Sequence, residues 1–315
     1  MTRLLVTGGM GFIGSEFVRQ ESNRKRYEKI YVLDSFTYAA NPQALDSIHT
    51  NHNVEIIVGD INDSGLINEI MSEVDCIVNF AAESHVDNSI FDIKPFLDSN
   101  IYGVANLLGA ARINKLDRFV QISTDEVYGS ISEGSFAESD RLNPRNPYSA
   151  SKASAEFLCH SFQNTYGLEI LITRTCNNYG PYQQFEKFIP TALKALIEGR
   201  KVPIYGDGSQ VREWIHVSDN CRAITAVLEK GLSGSIYNIG TAQHIRNLDL
   251  ARILLSELGL DDSSLEFVSD RPGHDQRYSI SSAKIMTELG WSPQIEFEEG
   301  LRETINWYRE KLAGS

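Results

Sequence analysis

At 315 residues, with 42% hydrophobic and 23% charged side chains, the chain has the make-up of a globular protein able to bury a full core in one large or two interlocked domains. Its 29 Lys and Arg against 42 Asp and Glu give a net charge of −13. Such a balance argues against binding nucleic acid or an anionic membrane through bulk charge, while a local cluster of donors can still hold a small anion. Cys76, Cys159, Cys176 and Cys221 form no CxxC pair, so neither a zinc site nor a disulfide framework is expected, and no metal. No apolar run approaches the ~20 residues of a membrane span, and "MTRLLVTGG" enters a strand-like segment without a signal-peptide core, so the expected location is the cytoplasm.

The first apolar run, "RLLVTGG", leads through "VTGGMGFIGS" into the helix-like "FIGSEFVRQESNRK". Gly8, Gly11 and Gly14 fall there in G-x-x-G-x-x-G spacing. Between a strand and a helix, such glycines permit a tight turn and let backbone N–H groups approach a pyrophosphate at the positive end of the helix. The second run, "KIYVLD", ends in Asp34, where a carboxylate can accept hydrogen bonds from an adenosine ribose. Its charge repels a 2′-phosphate, and no Arg or Lys follows in "DSFTY". NAD is therefore favoured over NADP, a turn or capping role being the alternative. "VEIIVGD" closes a third strand, where Asp60 either meets the adenine amino group or simply ends the strand. Thr37 and Ile61 are expected beside these residues as further dinucleotide contacts.

"DCIVNFAA", "RFVQIST" and "LEILITRT" continue the series of Val-, Ile- and Leu-rich runs, separated by helical segments such as "NIYGVANLLGAARINK". Strands of this kind, alternating with helices, predict a doubly wound parallel α/β sheet of the Rossmann type over residues 1–175. Beyond it the rhythm loosens: helical "KFIPTALKALIEG", a turn-rich "YGDGSQVREW", helical "VSDNCRAITAVLEKG", strand-like "SIYNIG" and a mainly helical tail. This pattern fits a smaller, interleaved C-terminal substrate-binding lobe made of 176–210 and 241–315, with 211–240 returning to the first domain. There is no internal repeat, low-complexity tract or Pro-rich linker.

The chemistry-bearing residues lie in "ISTDEVYG" and "YSASKA". Tyr148 and Lys152 are one helical turn apart on one face. A tyrosine pKa near ~10 is too high for a base at neutral pH, and lowering it three units takes roughly 4 kcal/mol. A neighbouring ammonium and an oxidised nicotinamide can supply that. Ser123 and Thr124 end the fifth strand, where open α/β sheets place their sites. Together these residues suit removal of a hydroxyl proton while hydride leaves to NAD. Asp125 and Glu126 follow at once. As a solvated strand end they need no role; facing a cleft, they offer the acid and the base that an elimination requires and a single redox step does not.

Over nearly its whole length the chain resembles the dTDP-glucose 4,6-dehydratases, extended short-chain dehydrogenases/reductases. The resemblance rests on "TGGMGFIGS", "FAAESHVD", "STDEVYG", "YSASKA", "RTCNNYGPYQ", "EKFIP", "VREWIHVSD" and "RPGHD". It implies C4 oxidation of a nucleotide-linked glucose by Tyr148, Lys152 and NAD, with Thr124 on the C4 oxygen. Glu126 is then the base at C5, Asp125 the acid for the C6 hydroxyl, and hydride returns to C6. It further implies that Phe12 and Ile13 lie against the pyrophosphate. Ala81, Ala82 and Ser84 line the dinucleotide and sugar, and Asn100 and Asn178 lie near the cofactor. Asn177, Glu186, Lys187, Phe188, Arg212, Asn247 and His274 are implied nucleotide-sugar contacts. Arg212 suits a diphosphate through its planar fork or pairs with a surface acid, and Tyr278 touches the substrate or is a core aromatic. His85 and His216 read as structural. Two departures stand out: Asn88 where the family commonly has a basic residue, bearing on a phosphate or a subunit contact, and Thr175-Cys176.

A homodimer is implied, built on helices near 95–115 and 148–166, although the apolar spacing of "NLLGAARI" and "AEFLCHSF" fits internal packing as well. The other readings are a UDP-sugar 4,6-dehydratase, a 4-epimerase, and a non-catalytic NAD-sensing protein. Asp125-Glu126 argues against the epimerase, and the four catalytic side chains together argue against the sensor.

Overall fold

The computed structural model describes residues 2–48, 51–270 and 273–313. Arg271 and Pro272 of "RPGHD" lie outside them. The six apolar runs become strands β1 Arg3–Thr7, β2 Lys29–Asp34, β3 Val54–Val58, β4 Cys76–Asn79, β5 Arg118–Thr124 and β6 Ile170–Thr175. Shorter strands follow: β7 Asn177–Tyr179, β8 Val202–Tyr205, β9 Val211–His216, β10 Ile236–Ile239, β11 His244–Arg246 and β12 Leu265–Val268.

Seven of these strands form one sheet in the order β10-β6-β5-β4-β1-β2-β3, with every pairing parallel. Because helices cover both faces, successive side chains of β1 enter different layers. Leu4 and Val6 pack with Phe17, Val18, Ile224 and Val227, whereas Leu5 packs with Ile67, Leu107 and Leu108. The chain winds outward from β1 through β2 to β3, and from β4 through β5 and β6 to β10. The reversal between β1 and β4 opens a crevice at the carboxyl ends of the strands.

Two helices position the site. The helix Phe12–Arg24 follows Gly11 directly, and no side chain caps its N-terminus. The helix Pro147–Tyr166 is firmly delimited: Asn146 and Ser149 form a capping box, Pro147 occupies the first turn, and Gly167 ends it with φ +72°. The segment read as one helix from Asn100 differs. Asp98–Gly103 is a wider π turn, and regular α-helix begins only at Val104.

The second lobe holds the three-stranded sheet β11-β9-β7, the parallel pair β12-β8, and the helices Phe188–Ile197, Asn247–Glu257 and Phe297–Ala313. Ile189, Leu193, Trp214, Leu250, Leu254, Leu301 and Tyr308 build its own core. Strand β9 pairs with β7 and β11 and not with the large sheet, which the chain rejoins at β10 after the helix Val217–Lys230. Among the described residues no helix is long and apolar enough to cross a membrane.

Candidate active site

The glycine turn is shaped by contact. Gly8 has φ +65°, and a Cβ there falls 2.6 Å from the Ala81 nitrogen; a Cβ on Gly14 falls 2.3 Å from the Gly8 carbonyl oxygen. Loop and helix thus meet backbone to backbone, leaving the first-turn N–H groups of the helix Phe12–Arg24 without a capping side chain. Asp34 is buried and pinned beside this turn, its two oxygens accepting the N–H groups of Met10 and Phe36, each at 2.9 Å. Lone pairs remain on both oxygens for a ribose diol. Gly8, Asp34, Thr37, Asp60, Ile61 and Ala81 line one cavity. Asp60 is exposed there and also accepts from Asn62 N–H at 2.8 Å, so it both lines the cavity and ends the strand. The donor set and the backbone cradle fit a dinucleotide.

A second cavity shares Gly11, Ala39 and Ala82 with the first and extends the cleft toward the second lobe. Its walls include Phe12, Ile13, Gly14 and Ser84, then Thr124, Asp125, Glu126, Tyr148 and Lys152, and across from them Asn177, Asn178, Glu186, Lys187 and Phe188. Lys187 bridges the lobes by donating to the Ser84 carbonyl at 2.9 Å.

Both acids therefore face the same cleft as the tyrosine and lysine. Burial pushes the Asp125 carboxyl well above the usual carboxylate range. Glu126 and Glu213 push the same way, against the pull of Arg212 and the Thr124 hydroxyl. Asp125 Oδ1 accepts that hydroxyl at 3.2 Å, while Oδ2 is buried without a protein partner. Burial thus favours the protonated form of Asp125. Glu126, half-buried, accepts a hydrogen bond from Asn146 Nδ2 at 3.2 Å.

Tyr148 and Lys152 differ from expectation. Tyr148 is hydrogen-bonded to Thr124, but burial raises its pKa and the charges of Glu126 and Asp125 add to the rise. Lys152 directs its ammonium to the Ile122 carbonyl at 2.7 Å rather than lowering the phenol. Burial brings Lys152 itself down to about 8, against an opposing pull from Glu156. The groups around Tyr148 thus favour its neutral phenol.

The remaining candidates lie outside the lining of the two cavities. Asn100 is buried in a brace, accepting Glu83 N–H at 2.9 Å and donating to Ser151 Oγ at 2.8 Å; the π turn aims it inward. Arg212 is buried, not paired at the surface, and stacks over the Tyr278 ring at 4.3 Å while donating to the Asp275 carbonyl at 2.9 Å. Tyr278 is buried too, its hydroxyl on Asp275 Oδ2 at 2.8 Å. His274 bonds Asp270 at 2.7 Å, and Asn247 opens the helix Asn247–Glu257. Of these, Arg212 lies within electrostatic reach of Asp125, and Tyr278 within that of Glu126.

With that geometry in hand, comparison with known proteins is decisive. Residues 5–304 match the family model described as GDP-mannose 4,6 dehydratase. A dTDP-glucose 4,6-dehydratase of Streptomyces niveus is 46% identical, the match covering 99% of this chain and 94% of that one. The chain belongs to the dTDP-glucose 4,6-dehydratase family. The low-salt glycan biosynthesis protein Agl12 of Haloferax volcanii is 48% identical, covering 97% of this chain and 98% of its own. The solved DesIV, a dTDP-glucose 4,6-dehydratase from Streptomyces venezuelae with NAD and TYD bound, superposes with TM-score 0.97 at 48% identity over 99% and 98% of the two chains.

In this member of the dehydratase family, sequence reasoning passed over several residues at the site. Glu213 is fully buried yet satisfied by the N–H groups of Thr241, Ala242 and Ile280. Glu156, one turn beyond Lys152, pairs with buried Arg174 at 2.6 Å. Trp214 and Gln183 line the cleft, and Trp214 Nε1, Gln183 Oε1 and Asn178 Oδ1 are buried without a protein partner. Of the departures, Asn88 hydrogen-bonds Tyr38 at the exposed rim, and Thr175 accepts Asn178 Nδ2 at 3.1 Å, holding that side chain. His85 and His216 cap helices, accepting from Asn88 N–H and Ser218 N–H.

Proposed function

We propose that the protein converts dTDP-glucose to dTDP-4-keto-6-deoxyglucose and water, as a cytoplasmic homodimer holding NAD tightly. The observation that carries this reading is the placement of Asp125 and Glu126 in one cleft with Tyr148 and Lys152. The relatives named dTDP-glucose 4,6-dehydratase support the substrate.

Gly8, Gly11, Gly14 and Asp34 would hold the pyrophosphate and ribose of NAD, with Thr37, Asp60, Ile61 and Ala81 around the adenosine. Bound there, NAD supplies an acceptor for the C4 hydride, a donor of that hydride to C6, and positive charge near Tyr148. Tyr148 takes the proton of the C4 hydroxyl, and Thr124 holds that oxygen. The ketone so formed acidifies the C5 proton, which Glu126 removes. Asp125, kept protonated by its burial, gives its proton to the C6 oxygen, which leaves as water. Glu126 returns a proton to C5 as C6 becomes a methyl group. Tyr148 ends with one proton more and Asp125 with one fewer, and exchange with solvent restores both. Arg212, Asn247, His274 and Tyr278 serve the nucleotide end from the second lobe. Exposed Phe91, Tyr102 and Phe157 supply the apolar face of the dimer.

The test is incubation with dTDP-glucose and with UDP-glucose, without added reductant, followed by mass analysis. The thymidine sugar is expected to lose one water with no net cofactor reduction. Loss of water from UDP-glucose alone would move the substrate to the uridine series. Retained mass with C4 inverted would make the protein an epimerase.

A further inference from the structure

The two functional pairs sit on different elements: Asp125 and Glu126 just past β5, Tyr148 and Lys152 on the helix Pro147–Tyr166. Thr124 bonds Asp125 and Tyr148, and a second side chain, Asn146, ties Glu126 to the start of that helix. Asn146 Oδ1 accepts the Ser149 N–H at 2.8 Å and so caps that helix. The Ser149 hydroxyl completes the box by accepting Asn146 N–H at 3.3 Å. With its oxygen so occupied, Asn146 extends its amide Nδ2 to Glu126 Oε2 at 3.2 Å.

The cap alone does not call for asparagine. Asp, Ser and Thr serve as N-caps equally or nearly so, because capping needs only an acceptor. Asparagine adds a donor on the same carbon as that acceptor. Aspartate in its place turns a second carboxylate toward Glu126. Serine keeps the acceptor on a shorter arm and has no amide to send outward.

We propose that Asn146 is a positioning residue that registers the elimination base against the helix carrying the oxidising pair, so that C4 oxidation and C5 deprotonation act on one pose of the sugar. This rests on the reading of Glu126 as the C5 base. Asn146 touches Glu126 and the helix backbone, and its effect on the sugar passes through them. A hydrogen bond to a charged group is strong enough that its loss slows the step it serves about 10-fold or more.

The test compares Asn146→Ser and Asn146→Asp with the wild type, both variants retaining a competent cap. Melting temperatures of the two should stay near the wild-type value. In a single turnover of the holoenzyme with dTDP-glucose, Asn146→Ser should give the near-ultraviolet signal of reduced nicotinamide at the normal rate. Water loss, followed by mass, should slow about 10-fold, so that signal accumulates, and KM should hold steady. Asn146→Asp should be slower still, since like charges now face each other. Wild-type water loss in Asn146→Ser overturns the proposal, as does equal slowing of both phases, which would make Asn146 a cap alone. Glu126→Gln in the same assay separates the two levels. If it sheds water normally, Glu126 is not the base and the functional reading fails with the proposal. If it stalls while Asn146→Ser does not, only the Asn146 proposal fails.

Discussion

Lys152 should make the folded protein less stable than it could be, and replacing it with methionine should reveal by how much. The ammonium is buried, and burial lowers its pKa from the ordinary 10.5 to about 8. Below pH 8 the group is charged in the folded and unfolded chains alike, so the whole cost of burying the charge is present. Between about 8 and 10.5 the folded chain loses its proton first, the unfolded chain binds more protons, and stability rises with pH. A difference of 2.5 units corresponds to about 3 kcal/mol. Lys152→Met removes that cost together with a hydrogen bond to the Ile122 carbonyl, a loss of about 1 kcal/mol. The Ile122 oxygen keeps a bond from Gln121 Nε2 at 3.1 Å, so it is not orphaned. The variant should therefore be about 2 kcal/mol more stable at pH 7 and should lose that advantage as pH approaches 10.5. Urea unfolding of both cofactor-free proteins from pH 7 to 10 measures this. Tyrosines and cysteines titrate in both chains, so the difference curve isolates Lys152. A variant less stable than wild type at pH 7, or a gap that does not narrow with pH, would refute the reasoning.

Asp125→Asn should be more stable than wild type at neutral pH. The raised carboxyl keeps its proton when folded and ionises when unfolded, so its contribution is lost as pH climbs out of the ordinary carboxylate range. Denaturant curves at neutral and acid pH should show the gain shrinking toward pH ~4, and water loss should drop roughly 10²- to 10⁴-fold while C4 oxidation persists. Gly14→Ala brings a Cβ to 2.3 Å from the Gly8 carbonyl oxygen, forcing loop and helix apart. We expect about 1–3 kcal/mol of lost stability and at least a roughly tenfold weaker grip on NAD by calorimetry. Unchanged affinity would mean that the pyrophosphate lies elsewhere.

The large sheet was legible because parallel strands covered on both faces must be apolar throughout, and "LLVT", "IYVLD" and "ILITRT" are nearly that. Strand β9 was not, since "VREWIH" carries Arg212, Glu213 and His216 into the interior, where hydrogen bonds and not an apolar pattern make them tolerable: Glu213 accepts from distant backbone N–H groups, Arg212 donates to the Asp275 carbonyl, and His216 accepts from Ser218 N–H. The same reason hid Glu213, whose donors lie 28 to 67 residues away. That the glycine turn, Asp34 and the pairs Asp125-Glu126 and Tyr148-Lys152 line one cleft was readable because their spacing is local to a strand end or a helical turn. Asn146 was invisible as a contact because nothing in "NPYSASK" says that its amide reaches back 20 residues to Glu126. The π turn at Asp98–Gly103 was not legible because nothing in "DSNIYG" interrupts the helical spacing that continues into Val104–Asn114.

The hydride itself offers the sharpest check. dTDP-glucose carrying deuterium at C4, turned over in ordinary water by the holoenzyme, should yield product with the label in the C6 methyl group and a solvent proton at C5. Label released to added NAD, or found again at C4, would contradict the account.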